Sequence, residues 1–298
     1  GEATYEEYFS YHNSNTSGHD YVFNGIYKQM RANNCSADFP EFADAPADNA
    51  LVKSAYKNAS FSDAVAYQMF VKGVQYQHTW LYSTHELYSA LDKCGKKENA
   101  FNQAPHAWDE GWAFYVGSLS GEDGDDPSKE GQLTYRMADK RASDMKTRAS
   151  DGPPHWREGS AGDATSNVNA KLLRLYRAGL EAVGAADGAR CKEATHYVKE
   201  IVAQMTVPLI QGAIKYAYKA DPNGGNETET EKDEGKAWAE FHAFASAALP
   251  RVHHCDADAA KTIAAAIALP DGADFTTPGV APEGLVAGGY GAVKAAFE

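Results

Sequence analysis

Apolar residues recur at the three- and four-residue spacing of an amphipathic helix over most of this chain, and period-two alternation is scarce. The pattern predicts helices near 20–33, 62–93, 106–119, 131–148, 167–184, 192–220, 235–249 and 256–269. The expected class is all-α. Pro, Gly and charge without periodicity mark 151–163 as a linker and 221–235 as a polar, acidic loop. The Gly- and Pro-containing tail after Pro270 is expected to follow the surface without long helices.

Two of these helices carry the same words. AWDEGWAF at 107–114 matches AWAEFHAF at 237–244, sharing Ala, Trp, Glu, Ala and Phe at an offset of 130. The repeat implies two related, four-helix-bundle-like units packed together. The expected division is 1–150 and 164–270, with 151–163 between them and 271–298 as the tail.

Composition narrows what such bundles can do. The 298 residues carry 41 Asp and Glu against 28 Lys and Arg, a formal net charge of −13. Hydrophobic residues make up 43% of the chain, which rules out a disordered polymer. No uncharged apolar run reaches the roughly 18–20 residues of a membrane span. The acidic surplus argues against general nucleic-acid binding, which needs Lys and Arg to neutralise phosphates, and is compatible with a cationic ligand. Cys35, Cys94, Cys191 and Cys255 form an even set without a C-x-x-C pair, which removes zinc-ribbon and thioredoxin spacings. Glycosylation sequons begin at Asn15, Asn34, Asn58 and Asn226. Sequons and paired cysteines together indicate a secreted, periplasmic or cell-surface protein. One disulfide per half, Cys35–Cys94 and Cys191–Cys255, is the economical pairing, although all three connectivities are open to sequence. The chain starts GEATYEEYF, without Met or an apolar signal core, as expected of a processed protein.

Candidate chemistry sits on three helices. In HAWDEGWAFYVGSL (106–119), Trp108, Trp112, Tyr115 and Leu119 follow core spacing, and Ala113, Phe114 and Val116 cover the other sides. Asp109 and Glu110 then enter a buried helix, where a carboxylate needs a cation or several donors. Asp109 can also be read as a first-turn acid favoured by the helix dipole; Glu110, which recurs as Glu240, is less easily explained that way. In 74–92, His78, Tyr82 and His85 share a face, and imidazole with phenolate and carboxylate can ligate ferric iron. In 133–147, Tyr135 and Asp139 share a face beside Lys140 and Arg141. Several motifs are excluded. Ser89 replaces the second His of H-E-x-x-H, Glu193–His196 is a lone E-x-x-H, and Pro127 breaks the acidic loop 121–131 as a calcium site. No phosphate-binding glycine loop or nucleophile elbow occurs.

The segment WDEGWAFYVGSLSGEDG (108–124), followed by YRMADKRASDMKT (135–147), resembles the algal low-iron-inducible periplasmic, or Fe-assimilating, protein family, which takes in the phytotransferrins. The resemblance is sharp over about 105–147. It implies an extracellular or cell-surface protein, not an enzyme, that binds ferric iron for high-affinity uptake with carbonate as companion anion. The motif residues it carries over are Asp109, Glu110, Tyr115, Asp139, Lys140 and Arg141. Ala142 stands where several relatives are expected to have Cys. The combined expectation is one iron held by Glu110, Asp139, Tyr135 or Tyr82, and His78 or His85, with Asp109 and Glu240 as further candidates. Lys140 and Arg141 are the expected carbonate partners. A membrane receptor or anchor is a possible partner. The competing classes are an imelysin-type helical metallopeptidase and a metal-free adhesion or structural module.

Overall fold

The computed structural model describes residues 60–94, 100–117, 133–148, 166–185, 187–221, 234–268, 274–276 and 286–298. The expected helix 20–33, the linker 151–163, Cys35, and the sequons at Asn15, Asn34, Asn58 and Asn226 lie outside these residues. In chain order the elements are β1 (Ser60–Phe61), α1 (Asp63–Lys72), a π turn (Gly73–His78), α2 (Thr79–Cys94), α3 (Ala100–Val116) and α4 (Leu133–Met145). There follow α5 (Asn167–Gly184), α6 (Gly188–Ala220), α7 (Glu234–Cys255), α8 (Ala257–Ile267), β2 (Asp274–Phe275) and α9 (Gly289–Phe297). Extended pairing among the described residues is confined to a two-residue parallel contact between β1 and β2 and one bridge from Arg148 to Ser166. The fold is all-α. No described helix is long and apolar enough to cross a membrane.

Most boundaries follow the hydrophobic period, and the exceptions have local causes. The expected 62–93 helix is interrupted by the π turn, where an extra residue per turn shifts the helix face. α3 starts earlier than its motif and carries Pro105 inside, so Asp109 and Glu110 lie past the first turns and the dipole does not account for them. α7 runs through Pro250 to Cys255 rather than stopping at 249, because buried residues on both sides, Leu249 and His253, keep its face packed. α5 begins at an N-cap, Ser166, whose side chain accepts from Asn169 N. Asp256 does the same for α8 through Asp258 N and Ala259 N.

The described residues fall into two compact units: those within 78–208, and those within 1–77 and 209–298. They are not the consecutive stretches 1–150 and 164–270. The divisions fall in the π turn and at Pro208, 131 residues apart (208 against 77), close to the repeat offset. Both long helices thus carry an irregularity at the same repeat position, one a π turn and the other a proline. Each unit combines the second half of one long helix, and the short helix after it, with the first half of the other.

In the 78–208 unit, α2, α3, α5 and the first part of α6 bury Trp80, Leu87, Trp108, Tyr115, Leu172, Ile201 and Met205. Trp108 donates from Nε1 to the Tyr176 carbonyl at 2.9 Å, satisfying its polar edge. Its ring leaves no room for a side chain at Gly179, where a Cβ would stand 1.9 Å from the indole. The disulfide joins Cys94, ending α2, to Cys191, near the start of α6, with Cα atoms 5.8 Å apart. This corrects the expected Cys35–Cys94 and Cys191–Cys255 pairs: the ends of α2 and α6 meet in one unit, which sequence spacing does not reveal. Cys255 is an exposed thiol. In the other unit, α1 and α8 pack on α7 around Trp238, Phe241 and Phe244, and α9 packs on α8.

Candidate functional site

α2 and α3 approach closely because small residues line their contact. A Cβ at Gly111 would stand 3.1 Å from Leu87 Cγ and 3.2 Å from the Ser83 carbonyl oxygen. Ser83 donates to the Gly111 carbonyl at 2.6 Å, and Ala90, Ala104 and Ala107 are buried. The helices run antiparallel, so Tyr82 meets Phe114 at 4.4 Å between ring centres and Glu86 meets Glu110 one turn along.

That second contact sets the Glu110 carboxyl against Glu86, close enough to disfavour the Glu86 charge. Burial foremost, then the Glu110 charge, pushes the Glu86 carboxyl up to about 7; Lys93 and a hydrogen bond from Tyr82 pull the other way. His85 Nε2 lies 3.7 Å from Glu86 and its ring sits beside Tyr82. His106 Nε2 lies 3.4 Å from Glu110 on the same helix, one turn earlier. Glu86 is buried, whereas the Glu110 side chain keeps 43% of its surface open to solvent. Phenol, imidazole and two carboxyls therefore meet at the rim of the α2–α3 contact, where water or a small ion has access. α3 is not apolar nearly all round as its sequence suggested, because Ala113 and Phe114 are exposed beside this rim.

Of the residues singled out from sequence, Tyr82, His85 and Glu110 come together here, and Asp109 is exposed next to them. His78 lies in the π turn, and its side chain is outside the described set. Asp139 and Tyr135 serve a different junction. Asp139 Oδ1 accepts from Ser166 N at 2.7 Å, and the Tyr135 carbonyl accepts from Asn169 Nδ2 at 2.9 Å. Tyr115 completes that knot by donating to Asn169 Oδ1 at 2.6 Å. Complete burial holds the Tyr115 hydroxyl well above the ordinary phenol range, so it is a hydrogen-bond donor rather than a phenolate. Arg141 is buried and pairs with Asp144 at 3.0 Å, while Lys140 is exposed.

Among the described residues, no three His, Cys, Asp or Glu side chains are placed to hold a metal. Glu110, Asp139 and His85 thus do not share a centre in these conformations. The acidic pair with the Tyr82 hydroxyl makes an oxygen-rich corner, and oxygen donors are the kind that hard cations take. The member that sequence reasoning missed is Glu86. The His85-Glu86 dipeptide stands out in sequence only as a fragment of a zinc-protease motif; its place one turn after Tyr82 was the available signal.

Glu240, the repeat equivalent of Glu110, lies in the other unit and is paired with Lys72 at 3.6 Å. Near it, His242 is buried against Trp238 and bonds through Nδ1 to the Ile267 carbonyl at 3.0 Å. Burial pushes the His242 imidazole down to about 4, so it is neutral and structural.

Comparison with known proteins agrees with the motif. The family described as low iron-inducible periplasmic protein matches residues 11–237, well over half of the chain. No curated protein and no solved structure matches it. The chain belongs to the low iron-inducible periplasmic protein family, and its Cys94–Cys191 disulfide suits the periplasmic compartment that the family's description names.

Proposed function

We propose that this protein binds ferric iron outside the cytoplasm for uptake, and that the ion is cargo to be handed on rather than a catalyst. The observation that carries this reading is the Glu86–Glu110 carboxyl pair at the rim beside Tyr82, where burial and the facing acid disfavour the Glu86 charge and a cation would relieve it. Ferric iron is hard and takes carboxylate and phenolate oxygens, which Glu86, Glu110 and Tyr82 supply, with the His85 and His106 imidazoles beside them. Family membership supports iron as the ion. Carbonate is the proposed companion anion, filling coordination positions that three side chains leave open. Its candidate cation at this rim is Lys93, whose charge reaches Glu86, whereas of the motif residues Lys140 and Arg141 on α4, Arg141 is paired with Asp144.

Titration of the chain with ferric nitrilotriacetate, with and without bicarbonate, tests the reading. Glu86→Gln and Glu110→Gln, each shown to be folded by circular dichroism, are expected to weaken iron binding by at least about tenfold. Occupancy is expected to fall between pH 7 and pH 5 as the proton returns to Glu86, whose carboxyl is raised to about 7. Equal iron binding by parent and variants overturns the site. Peptide turnover dependent on zinc would favour a metallopeptidase, and a chain that holds no metal would be an adhesion or structural module.

A further inference from the structure

The second copy of the repeat reaches the same problem, a glutamate on a buried helix, and solves it internally. Glu240 on α7 is nearly closed to solvent, and Lys72 on α1 brings its ammonium to 3.6 Å from Oε1. The same ammonium stands 5.6 Å from the centre of the Tyr76 ring, which favours a cation there.

The repeat offset shows what has changed between the copies. The contact of Tyr82 with Phe114 recurs as Gly212 beneath Phe244, so residues 82 and 212 are equivalent, as are 114 and 244. On that register Glu86 corresponds to Tyr216, whose ring stacks on Phe244 at 5.6 Å. The α7 copy therefore has one carboxylate where the α3 copy has two. The position matching Lys72 is Val202, or Ala203 when the extra residue of the π turn is counted, and neither is basic. One copy is neutral by construction, with one acid and one tethered ammonium. The other has two acids facing each other at a rim.

We propose that Lys72 is the resident cation of the second copy, so that the chain, although duplicated, carries a single ferric ion, between α2 and α3. This rests on the iron-binding reading above. Ferric nitrilotriacetate titrated into the 298-residue chain with bicarbonate is expected to give one tightly bound equivalent. The double variant Lys72→Met/Glu240→Gln removes both charges of the closed copy and is expected to keep that equivalent, with affinity changed less than tenfold. Two equivalents in the parent, or loss of the ion from the double variant, overturns the proposal. Should the double variant fail to fold, Glu110→Gln decides the matter: one site predicts that tight binding falls from one equivalent to none, and a remaining equivalent overturns it. A parent chain that takes up no iron defeats the iron-binding reading itself and is distinguishable from either result.

Discussion

The helices α3 and α7 carry one motif and put it to opposite uses. Both bury the motif tryptophan, Trp108 or Trp238, and both set the motif phenylalanine against a preceding long helix. In α7 the contact is closed: Phe244 is 2% exposed over Gly212, and Glu240 is neutralised by Lys72. In α3 the contact is open: Phe114 is 36% exposed, Tyr82 replaces the glycine, and Glu110 faces another acid. An apolar framework can thus be copied and kept, while the partner of a single glutamate decides whether a copy is a strut or a rim available to a cation. A buried carboxylate must find a positive charge or favour its protonated form: Glu240 has Lys72, whereas Glu86, facing Glu110, is pushed toward its proton.

The contrast can be broken most directly at the phenylalanines. Phe244→Ala opens a cavity in a closed contact and is expected to cost about 4 kcal/mol in chemical denaturation. Next in size are two opposed pH dependences. Glu86 is raised from 4.5 to about 7, so the folded state favours its proton. Its contribution is complete below pH 4.5 and is lost as pH rises through 7, by as much as about 3 kcal/mol. His242 is lowered from 6.5 to about 4, so its contribution is present above pH 6.5 and lost as pH falls through 4, by a similar amount. In the parent these slopes offset each other. In metal-free protein, Glu86→Gln should expose a stability that only falls on acidification, and His242→Gln one that only falls on alkalinisation. Identical pH profiles for the two variants would remove the distinction.

Smaller effects refine the picture. Lys72→Met leaves Glu240 nearly buried without its ammonium and is expected to cost about 2 kcal/mol, below the usual figure for a buried pair because Lys72 keeps 22% exposure. Phe114→Ala removes a half-open ring and should cost about 1 kcal/mol, measured against Phe244→Ala under the same conditions. Equal losses at the two phenylalanines would show that the α3 contact is as closed as the α7 contact.

Much of the architecture was legible because it depends on local periodicity. The α5 boundaries agree with the hydrophobic pattern residue for residue, since Ser166 caps one end and the apolar stripe runs to Val183. The pairing of Asp139 was not legible. Its position beside Lys140 and Arg141 suggested a ligand cluster, but its carboxylate accepts from a backbone amide 27 residues away, at the start of α5. Tyr115 was part of a recognisable motif, yet its role as a buried donor to Asn169 depends on which helix covers it. The disulfide failed for the same reason, because Cys94 and Cys191 are 97 residues apart and only packing brings them together.

By itself the sequence determined that this is an acidic all-α chain with a duplicated helix, of a family whose motif it carries between 105 and 147. Those properties reside in composition, period and order, which survive without a fold. The tertiary structure decided which glutamate faces which charge. The units divide at the π turn and at Pro208 rather than between the two copies, so the first half of each long helix serves the other copy's unit. That exchange brings Lys72 to Glu240, and the α2–α3 contact brings Glu86 to Glu110. Electrostatic partnership depends on distance in space, and no periodicity along a chain encodes it.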